Sequence, residues 1–191
     1  MPGIIYLSQI KLSSILNQEF FSGYTPKVAK NLLGCFLMRE VDGKIYKGLI
    51  TETECYRGRH DLACHAAKGK TERTKVMFGE PGRAYVYLVY GVHWMLNAVT
   101  EAEGYPAAVL IRGAELRDAQ NEIVKKLDGP GKLTRGLKIG RSFNEWDLTA
   151  GEKLWIEGGG DFKKRKIIKK PRVGVDYARH CKNWKWNFRL R

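Results

Sequence analysis

The sequence predicts an α+β fold: a single domain with a curved antiparallel or mixed β-sheet, flanking helices and a protruding β-hairpin. Two observations carry this prediction. The 191 residues are about the length of one domain, and 43% of them are hydrophobic, which is enough for a core. Short strand-like segments separated by turn signals alternate with a few helical ones. No internal repeat or linker divides residues 1–191, so we expect one domain.

The first predicted element is a helix over residues 25–33. Thr25 is a common N-cap residue, and Pro26 follows at the first helical position, where the missing backbone N–H of proline costs nothing. Gly34 comes directly after the apolar stripe and ends the helix.

A hairpin and a long loop are predicted next. The sequence becomes strand-like at Cys35, and a second strand-like segment covers residues 44–55. Asp42-Gly43 lies between them and is typical of a tight hairpin turn. Residues 58–82 are polar and rich in Gly, Lys and Arg, so we expect a loop there, with a short helix before His65.

The middle of the chain predicts a second hairpin, a strand and two helices. Residues 84–99 form an aromatic-rich hairpin whose tip we expect at Tyr90-Gly91. Residues 107–112 form a strand. Residues 115–127 show the apolar spacing of an amphipathic helix followed by glycine. A second, short helix is expected after Pro130.

The last third of the chain is predicted to be strand-like again. Its segments are residues 154–156, residues 172–175 and the alternating Trp184, Trp186 and Phe188. Six of the eight residues in 163–170 are basic. We interpret this run as a solvated loop between strands, in preference to a specific DNA contact.

The charge of the chain points to a polyanionic partner. Lys and Arg number 34 against 20 Asp and Glu, which gives a net charge of +14 and a pI near 9.7. Nucleic acid is the first candidate, and an acidic membrane surface is the second. The N-terminus lacks the pattern of an export signal, and no apolar run approaches the ~20 residues of a membrane span. We therefore expect a soluble protein that works inside the cell.

The cysteines predict buried free thiols. They are Cys35, Cys55, Cys64 and Cys181, and without a secretory signal a disulfide framework is not expected. Residues 55–65 also contain two histidines, but they lack the Cys-x₂-Cys pairs of a structural zinc site. We therefore expect neither a metal nor another cofactor.

Two glutamates at the end of the second strand are the first candidates for chemistry. Glu52 and Glu54 are two residues apart, so in a regular strand they share one face. Such a pair is often only solvated charge. In so basic a chain, however, an ionised carboxylate can also act as a general base toward water. His65 is either a polar contact in the same pocket or a structural histidine.

The tyrosines of the second hairpin predict two different environments. Alternation places Tyr85 and Tyr87 on one face, and we assign Tyr85 to the core. Tyr90 lies beside a glycine at the tip and has little core to join. On so basic a protein, an exposed aromatic ring at a tip indicates a wedge that stacks between bases.

Residues from about 20 to 177 contain a series of short motifs in one collinear order. They are Glu52-Thr-Glu54-Cys-Tyr56, Ala63-Cys-His65, Met77-Phe78-x-x-Pro81-Gly82-x-x-Tyr85-Val-Tyr87-x-x-Tyr90-Gly91, Asn97, Val109-Leu-Ile-Arg112-Gly-Ala-Glu115, Gly129-Pro-Gly-Lys-Leu133 and Arg172-Val-Gly-Val175. This ordered set strongly resembles the 3-methyladenine (alkyladenine) DNA glycosylase family. The resemblance implies a monofunctional enzyme that needs no metal. It would flip a damaged purine out of duplex DNA and hydrolyse its N-glycosidic bond, leaving an abasic site.

The resemblance also implies roles for individual residues. Glu54 would activate the attacking water, while Arg112 and the backbone of Val173 would help to hold that water and the nearby phosphate. The residues implied to contact the flipped base are Tyr56, His65, Tyr87 and Asn97, the last of which would disfavour unmodified guanine.

Further residues are implied to contact duplex DNA, and a monomer is expected. Tyr90 would fill the vacated stack, which makes the second hairpin a DNA-inserting one. The residues implied to contact the DNA backbone are Arg73, Lys75, Lys132 and Arg141.

Two departures from the family pattern and two alternative functions stay open at this point. Cys55 stands where the motif usually has alanine, and residues 180–189 do not follow the usual tail, so no tail residue receives a role. One alternative is a glycosylase-lyase with Lys68 or Lys70 as covalent nucleophile. The other is a nucleic-acid-binding module without catalysis.

Overall fold

One antiparallel sheet runs through the part of the chain that the computed structural model describes, residues 15–159 and 166–191. Nine strands belong to it within these ranges. They are β1 (Phe36–Val41), β2 (Lys44–Arg57), β3 (Ala84–Val89), β4 (His93–Val99), β5 (Ala107–Arg117), β6 (Ile123–Asp128), β7 (Leu154–Glu157), β8 (Ile167–Lys170) and β9 (Asn187–Leu190). The predicted α+β class and sheet are confirmed.

The two longest strands, β2 and β5, form the centre of this sheet. The main order is β3-β4-β5-β2-β1-β7. On the edge away from β5, the first part of β2 pairs with β1 and its later part pairs with β9. On the edge away from β2, the first part of β5 pairs with β4 and its later part pairs with β6. The register between β2 and β5 shifts at Glu52, where bulges interrupt the ladder. Such bulges increase the local twist, which accounts for a curled rather than flat sheet.

Short helices flank the sheet in the described residues. The α-helices are α1 (Gln18–Phe21), α2 (Thr25–Asn31) and α3 (Pro130–Gly136), and 3₁₀ helices cover His65–Lys68, Lys75–Phe78, Arg141–Phe143 and Asp176–Asn183. The helices expected near residue 25 and after residue 130 are confirmed. The short helix expected before His65 begins at that residue instead.

The N-terminus of α2 differs in detail from the prediction. Tyr24 occupies the N-cap position, and Thr25 is already helical. The Thr25 hydroxyl instead contacts the Glu101 carboxylate and accepts a hydrogen bond from Thr100. A buried tertiary contact has therefore taken the side chain that the sequence pattern assigned to capping.

The two faces of the sheet have different functions in the fold. The larger hydrophobic core packs α2 against one face, where the buried Thr53 hydroxyl donates a hydrogen bond to the Ala29 carbonyl at 2.8 Å. Because neighbouring residues of a strand point to opposite faces, Glu54 lies on the other face. A smaller cluster around Met77 and Tyr85 covers part of that second face.

Both predicted hairpin turns are confirmed. Asp42 and Gly43 have φ angles of 51° and 71°, and Tyr90 and Gly91 have φ angles of 52° and 70°. Positive φ at both central residues is the geometry of a type I′ turn, whose twist matches that of the flanking strands.

The helix predicted over residues 115–127 is wrong. In this region β5 continues to Arg117, the chain turns near Asn121 (φ 67°), and β6 runs back along β5. Leu127 is buried, whereas Ile123, which would share a helix face with it, is 44% exposed. The apolar spacing arose from two strands and a turn, and hydrogen bonding to β5 decides the outcome.

The prediction of a strand over residues 172–175 is also wrong. This segment turns at Gly174 (φ 73°), because the Arg172 guanidinium is drawn into a buried ion pair with Asp61 rather than into a ladder. In the tail only Asn187–Leu190 is a strand, so the alternation from residue 184 overestimated its length. The strand predicted at 154–156 is confirmed as β7.

The basic run over residues 163–170 is described only from residue 166. Ile167–Lys170 forms β8 and pairs with β9, so the expected loop is wrong for this part. Residues 163–165 lie outside the described residues.

All four cysteines are free and buried, as predicted. The described ranges contain no group of three His, Cys, Asp or Glu side chains placed to hold a metal ion. Within the same ranges no helix has both the length and the apolar character needed to cross a membrane.

Candidate active site

A row of cross-strand neighbours crosses the second face of the sheet beside a cleft, and Leu110 is the member of this row that lines the cleft. The register pairs Tyr85 of β3 with Asn97 of β4, Asn97 with Leu110 of β5, Leu110 with Glu54 of β2, and Glu54 with Asn187 of β9. Residues directly opposite one another point to the same face, so these five side chains lie in one line across the sheet.

The cleft has a volume of about 540 Å³. Residues predicted for the site that line it are Tyr56, His65, Arg73, Tyr87, Tyr90, Arg112 and Val173. A smaller hollow of about 20 Å³, here called the aromatic recess, opens beside it. Its lining residues are Tyr56, Ala63, His65, Met77, Tyr85, Tyr87 and Asn97.

Glu54 is a fully buried carboxylate that accepts hydrogen bonds on both oxygens. Oε1 accepts from the Val173 backbone N–H at 2.8 Å and from Asn187 Nδ2 at 3.0 Å, and Oε2 accepts from the Tyr56 hydroxyl at 2.8 Å. Burial, together with the negative charge of Glu54, raises the pKa of Tyr56 well above its usual value, so this hydroxyl stays a donor. Donors of this kind stabilise the ionised form of a carboxylate.

Glu52 lies beside Glu54 and shares donors with it. Arg112 Nε donates to Glu52 Oε1 at 2.9 Å and lies 3.6 Å from Glu54 Oε1. Asn187 Nδ2 donates to Glu52 Oε1 at 2.7 Å as well as to Glu54. The two glutamates therefore converge, as their spacing predicted, although the strand is irregular between them.

The irregularity of the ladder is what brings Arg112 to the carboxylates. Glu52 pairs with Gly113 and Thr53 pairs with Ile111, so Arg112 is the extra residue of β5 at this point. Bulges commonly re-aim a side chain beside an active site, and here the bulge turns a guanidinium toward both glutamates.

A buried ion pair positions the Val173 backbone. The Arg172 guanidinium binds both carboxylate oxygens of Asp61, with Nη2 to Oδ1 at 2.7 Å, and neither side chain is exposed. The same guanidinium donates to the Cys55 carbonyl at 2.9 Å and stacks on Tyr56 at 4.9 Å from the ring centre. These contacts attach the 172–175 turn to the end of β2, which places the Val173 N–H against Glu54.

Aromatic rings and one amide surround the recess. The His65 ring lies 4.6 Å from the Tyr87 ring, and its Nδ1 lies 3.0 Å from the Tyr85 hydroxyl. Burial and the nearby Arg73 lower the pKa of His65 to about 4, so its imidazole is neutral at neutral pH. Asn97 is buried, and its amide donates to the Tyr85 carbonyl at 2.9 Å. Tyr85 is buried as predicted, yet it also lines the recess.

Tyr90 stands at the rim of the cleft, at the tip of the β3–β4 hairpin, and is 92% exposed. Across the cleft the exposed Tyr177 also lines the rim. The turn therefore presents a large aromatic ring to solvent beside the cleft, where a partner can reach it.

The basic residues predicted to contact DNA occupy different places. Arg73 lines the cleft, with its guanidinium 5.1 Å from the centre of the Tyr87 ring. Lys132, on α3, is exposed and paired with Asp128, and Arg141 is exposed at the start of its 3₁₀ helix. Lys75 is paired with Glu72 and lines a separate depression.

The lysines considered as covalent nucleophiles line neither the cleft nor the recess. Lys68 is exposed at the end of a 3₁₀ helix, and Lys70 lines the same separate depression as Lys75. Among the described residues, those that line the cleft and the recess include no lysine.

Comparison with known proteins decides the family. Residues 19–191 match the family model described as methylpurine-DNA glycosylase. The chain belongs to the methylpurine-DNA glycosylase family. The expected resemblance is thus confirmed, and it extends through the tail that the motif series left out.

The matches between this methylpurine-DNA glycosylase family member and its relatives cover most of both chains. A protein of Methanocella arvoryzae is 44% identical over 91% of this chain and 91% of its own. A protein of Desulfitobacterium hafniense is 42% identical over 92% of this chain and 94% of its own. A protein of Legionella pneumophila is 46% identical over 86% of this chain and 87% of its own. Each bears the provisional name 3-methyladenine DNA glycosylase. Family and names together make this protein a DNA glycosylase, a hydrolase of N-glycosyl bonds.

One residue of the site was missed by the sequence analysis of this glycosylase. Asn187 lies in the tail, where the family pattern was not followed, so it received no role. Its position depends on β9 pairing with β2, more than 130 residues earlier in the chain. No local pattern around Asn187 signals that pairing.

Proposed function

We propose that this glycosylase flips an alkylated purine of 3-methyladenine type out of duplex DNA into the cleft and hydrolyses its N-glycosidic bond with a water that Glu54 activates. The observation that carries the proposal is the buried Glu54 carboxylate, which contacts three residues that line the cleft, Tyr56, Arg112 and Val173. A base inside a duplex cannot be reached by a side chain, so extrusion must precede the chemistry. The volume of the cleft is of the size that binds small ligands.

The recess favours a flat, positively charged base. The rings of Tyr56 and Tyr87 supply electron-rich faces, and the neutral imidazole of His65 does not repel a cation. Alkylation at N3 or N7 of a purine gives the base this positive charge. The buried Asn97 amide lines the same hollow and disfavours the exocyclic amine of unmodified guanine.

The reaction then needs one base and no covalent intermediate. As the N-glycosidic bond breaks, its electron pair leaves with the alkylated purine, which departs neutral, and the sugar acquires oxocarbenium character. The Glu54 carboxylate stabilises that charge and accepts a proton from the water whose oxygen bonds to C1′. The products are the free base and an abasic site.

Exposed residues at the hairpin tip, at the cleft and on two of the short helices bind the duplex. Tyr90 enters the stack that the flipped base leaves, and Arg73, Lys132 and Arg141 contact phosphates. Lys75 contacts the backbone from the side of the separate depression. The protein acts as a monomer inside the cell, where the DNA is.

Glu54→Gln is the decisive variant. Release of free base from duplex DNA methylated with dimethyl sulfate should fall about 10²–10⁴-fold, the usual contribution of a general base. Binding to the same DNA should persist, because the substituted glutamine keeps an oxygen for the Val173 and Asn187 donors and turns its amide toward the Tyr56 hydroxyl. Chromatography of released bases and a gel-shift titration measure the two quantities.

A matched control and two contrary outcomes make this experiment decisive. Glu122→Gln, at an exposed position next to the turn between β5 and β6, should release base at the wild-type rate. Near wild-type turnover by Glu54→Gln would remove Glu54 as the base and leave Glu52 as the next candidate. A covalent adduct trapped by borohydride would show an imine intermediate and the lyase mechanism instead. DNA binding by the wild type without any base release would show a binding module.

A further inference from the structure

We propose that Asn187, on the C-terminal strand, is a positioning residue that holds Glu52 and Glu54 together as an ionised pair and aims one oxygen of Glu54 into the cleft. The inference rests on the proposed function and deepens it. It comes from a contact that joins the end of the chain to the catalytic strand.

The Asn187 amide is committed to the two carboxylates. It is 3% exposed, and its Nδ2 donates to Glu52 Oε1 at 2.7 Å and to Glu54 Oε1 at 3.0 Å. An NH₂ group has two hydrogens, so both are used on the pair. Because both partners are acceptors, the nitrogen rather than the oxygen of the amide must face them.

The backbone of β9 is arranged for this contact. Its register on β2 places Asn187 opposite Glu54 and Arg189 opposite Glu52. A side chain in a sheet reaches its direct partner and the diagonal one two residues away, which are the two glutamates. On its other edge β9 pairs with β8, with Asn187 opposite Lys170, so the strand is held from both sides.

The pair needs a neutral donor because its charges do not balance. Within the described residues, the two carboxylates share one ion-pair partner, Arg112, whose Nε binds Glu52 and lies 3.6 Å from Glu54. The other polar groups that face Glu54 are the hydroxyl of Tyr56, the ring of Tyr87 and, above Tyr56, the guanidinium of Arg172. Like charges side by side favour protonation of one partner, and donated hydrogen bonds oppose it.

The donors also determine which Glu54 oxygen is free. A carboxylate oxygen has two in-plane lone pairs. Those of Oε1 are taken by Val173 N–H and Asn187 Nδ2, whereas Oε2 accepts only the Tyr56 hydroxyl among the hydrogen bonds of the described residues. The water-activating atom is therefore Oε2, and Asn187 occupies Oε1 so that the carboxylate cannot turn.

The test uses two substitutions at position 187 and one matched control in the same strand. Asn187→Leu removes the donor at similar volume, and Asn187→Asp replaces it with a third carboxyl group. Phe188→Leu alters a buried neighbour whose side chain points to the opposite face. Single-turnover base release from methylated duplex DNA is measured against pH. In parallel, the side-chain carboxyl ¹³C shifts of Glu52 and Glu54 are titrated without DNA.

Loss of a donor should make the pair easier to protonate. The acidic limb of the rate profile and the glutamate titration should both move to higher pH by about one unit in Asn187→Leu and further in Asn187→Asp. The plateau rate should fall about tenfold or more, because the carboxylate is no longer held in place. Phe188→Leu should lower the melting temperature and leave both titrations unchanged.

The outcomes separate this inference from the proposed function. Wild-type protein that releases no base would refute the function, while the ¹³C titrations would still decide the role of Asn187. Glutamate titrations unchanged in both Asn187 variants would overturn the positioning role, even with a lower rate. If Asn187→Leu does not fold, Asn187→Asp, which keeps the size of the side chain, decides the matter alone.

Discussion

His65 shows how the surroundings of a single residue determine its charge. Its imidazole packs edge-on against Tyr87 and contacts the Tyr85 hydroxyl, and burial together with Arg73 lowers its pKa to about 4. Histidine is normally the side chain that changes charge near neutral pH. Here the surroundings remove that change, so the recess presents the same neutral ring over the physiological range.

A consequence at the residue scale is a pH-dependent stability difference between the wild type and His65→Gln. The unfolded histidine, with a pKa near 6.5, binds a proton at a pH where the native one does not, so stability falls as pH drops from 6.5 toward 4. Between pH 7 and pH 4.5 the free energy of unfolding of the wild type should fall by about 2 kcal/mol more than that of the variant. Urea unfolding at the two pH values measures this. Equal losses in both proteins would show that native His65 is protonated in this range.

At the scale of elements, the two hairpin turns of the chain form an internal comparison. Both are type I′ turns, but one has Asp42 at the first central position and the other has Tyr90, at nearly equal φ angles of 51° and 52°. Aspartate is favoured in this conformation, and a bulky aromatic residue is not. The β3–β4 hairpin therefore keeps a strained tyrosine at its tip, which is typical of a functional position.

Tyr90→Asn should separate the stability of this hairpin from its activity. Asparagine tolerates positive φ, so the variant should be more stable by about 0.5–1 kcal/mol. It should nevertheless excise lesions from duplex DNA more slowly, with the smallest loss at mispaired lesions, whose extrusion costs less. Thermal unfolding, and single-turnover excision of one lesion opposite several partner bases, measure the two effects.

Two further variants serve as controls for the hairpin. Asp42→Tyr, in the other turn, should lower stability by a similar amount and leave excision unchanged. Tyr87→Ala, in the recess wall, should impair excision whatever the partner base. If Tyr90→Asn lowers the excision rate equally opposite all partner bases, Tyr90 is not a wedge and acts as a pocket residue instead.

On the scale of the whole molecule, the sheet separates a face covered by the large core from a face that carries the cleft. One face carries α2 and the large core, and the other carries the cleft, Arg73 and the exposed hairpin tip. The net charge of +14 acts on any approaching polyanion, and the exposed cations near the cleft give that attraction a direction. This arrangement suits a duplex that lies across the cleft face.

Salt dependence tests this arrangement. Binding to duplex DNA should weaken steeply with salt, because bound lysines and arginines release counterions from phosphates. Lys132→Ala or Arg141→Ala should weaken binding to all duplexes alike and reduce the slope of log K against log salt by about one unit each. Lys27→Ala, at an exposed position of α2 that does not line the cleft, should leave the slope unchanged. If Lys132→Ala or Arg141→Ala changes the lesion preference and leaves the salt slope unchanged, that residue belongs to the pocket instead.

Local patterns predicted the parts of this protein that local interactions determine. Both hairpin turns, α2, α3 and β7 followed from turn residues, from a proline near the start of each helix and from periodicity, because the backbone preferences involved span only a few residues. The ordered motifs also indicated the family. The side chains that they singled out around Glu54 do lie together on one face of the sheet.

The tertiary structure decided the parts that depend on distant pairing. Residues 115–127 became strands because β5 supplied a partner, and residues 172–175 became a turn because Asp61 captured Arg172. Asn187 joined the row that contains Glu54 for the same reason, since β9 meets β2 across more than 130 residues of sequence. Hydrogen bonding between strands and buried ion pairing are satisfied only in the folded chain, and no spacing within a short segment encodes them.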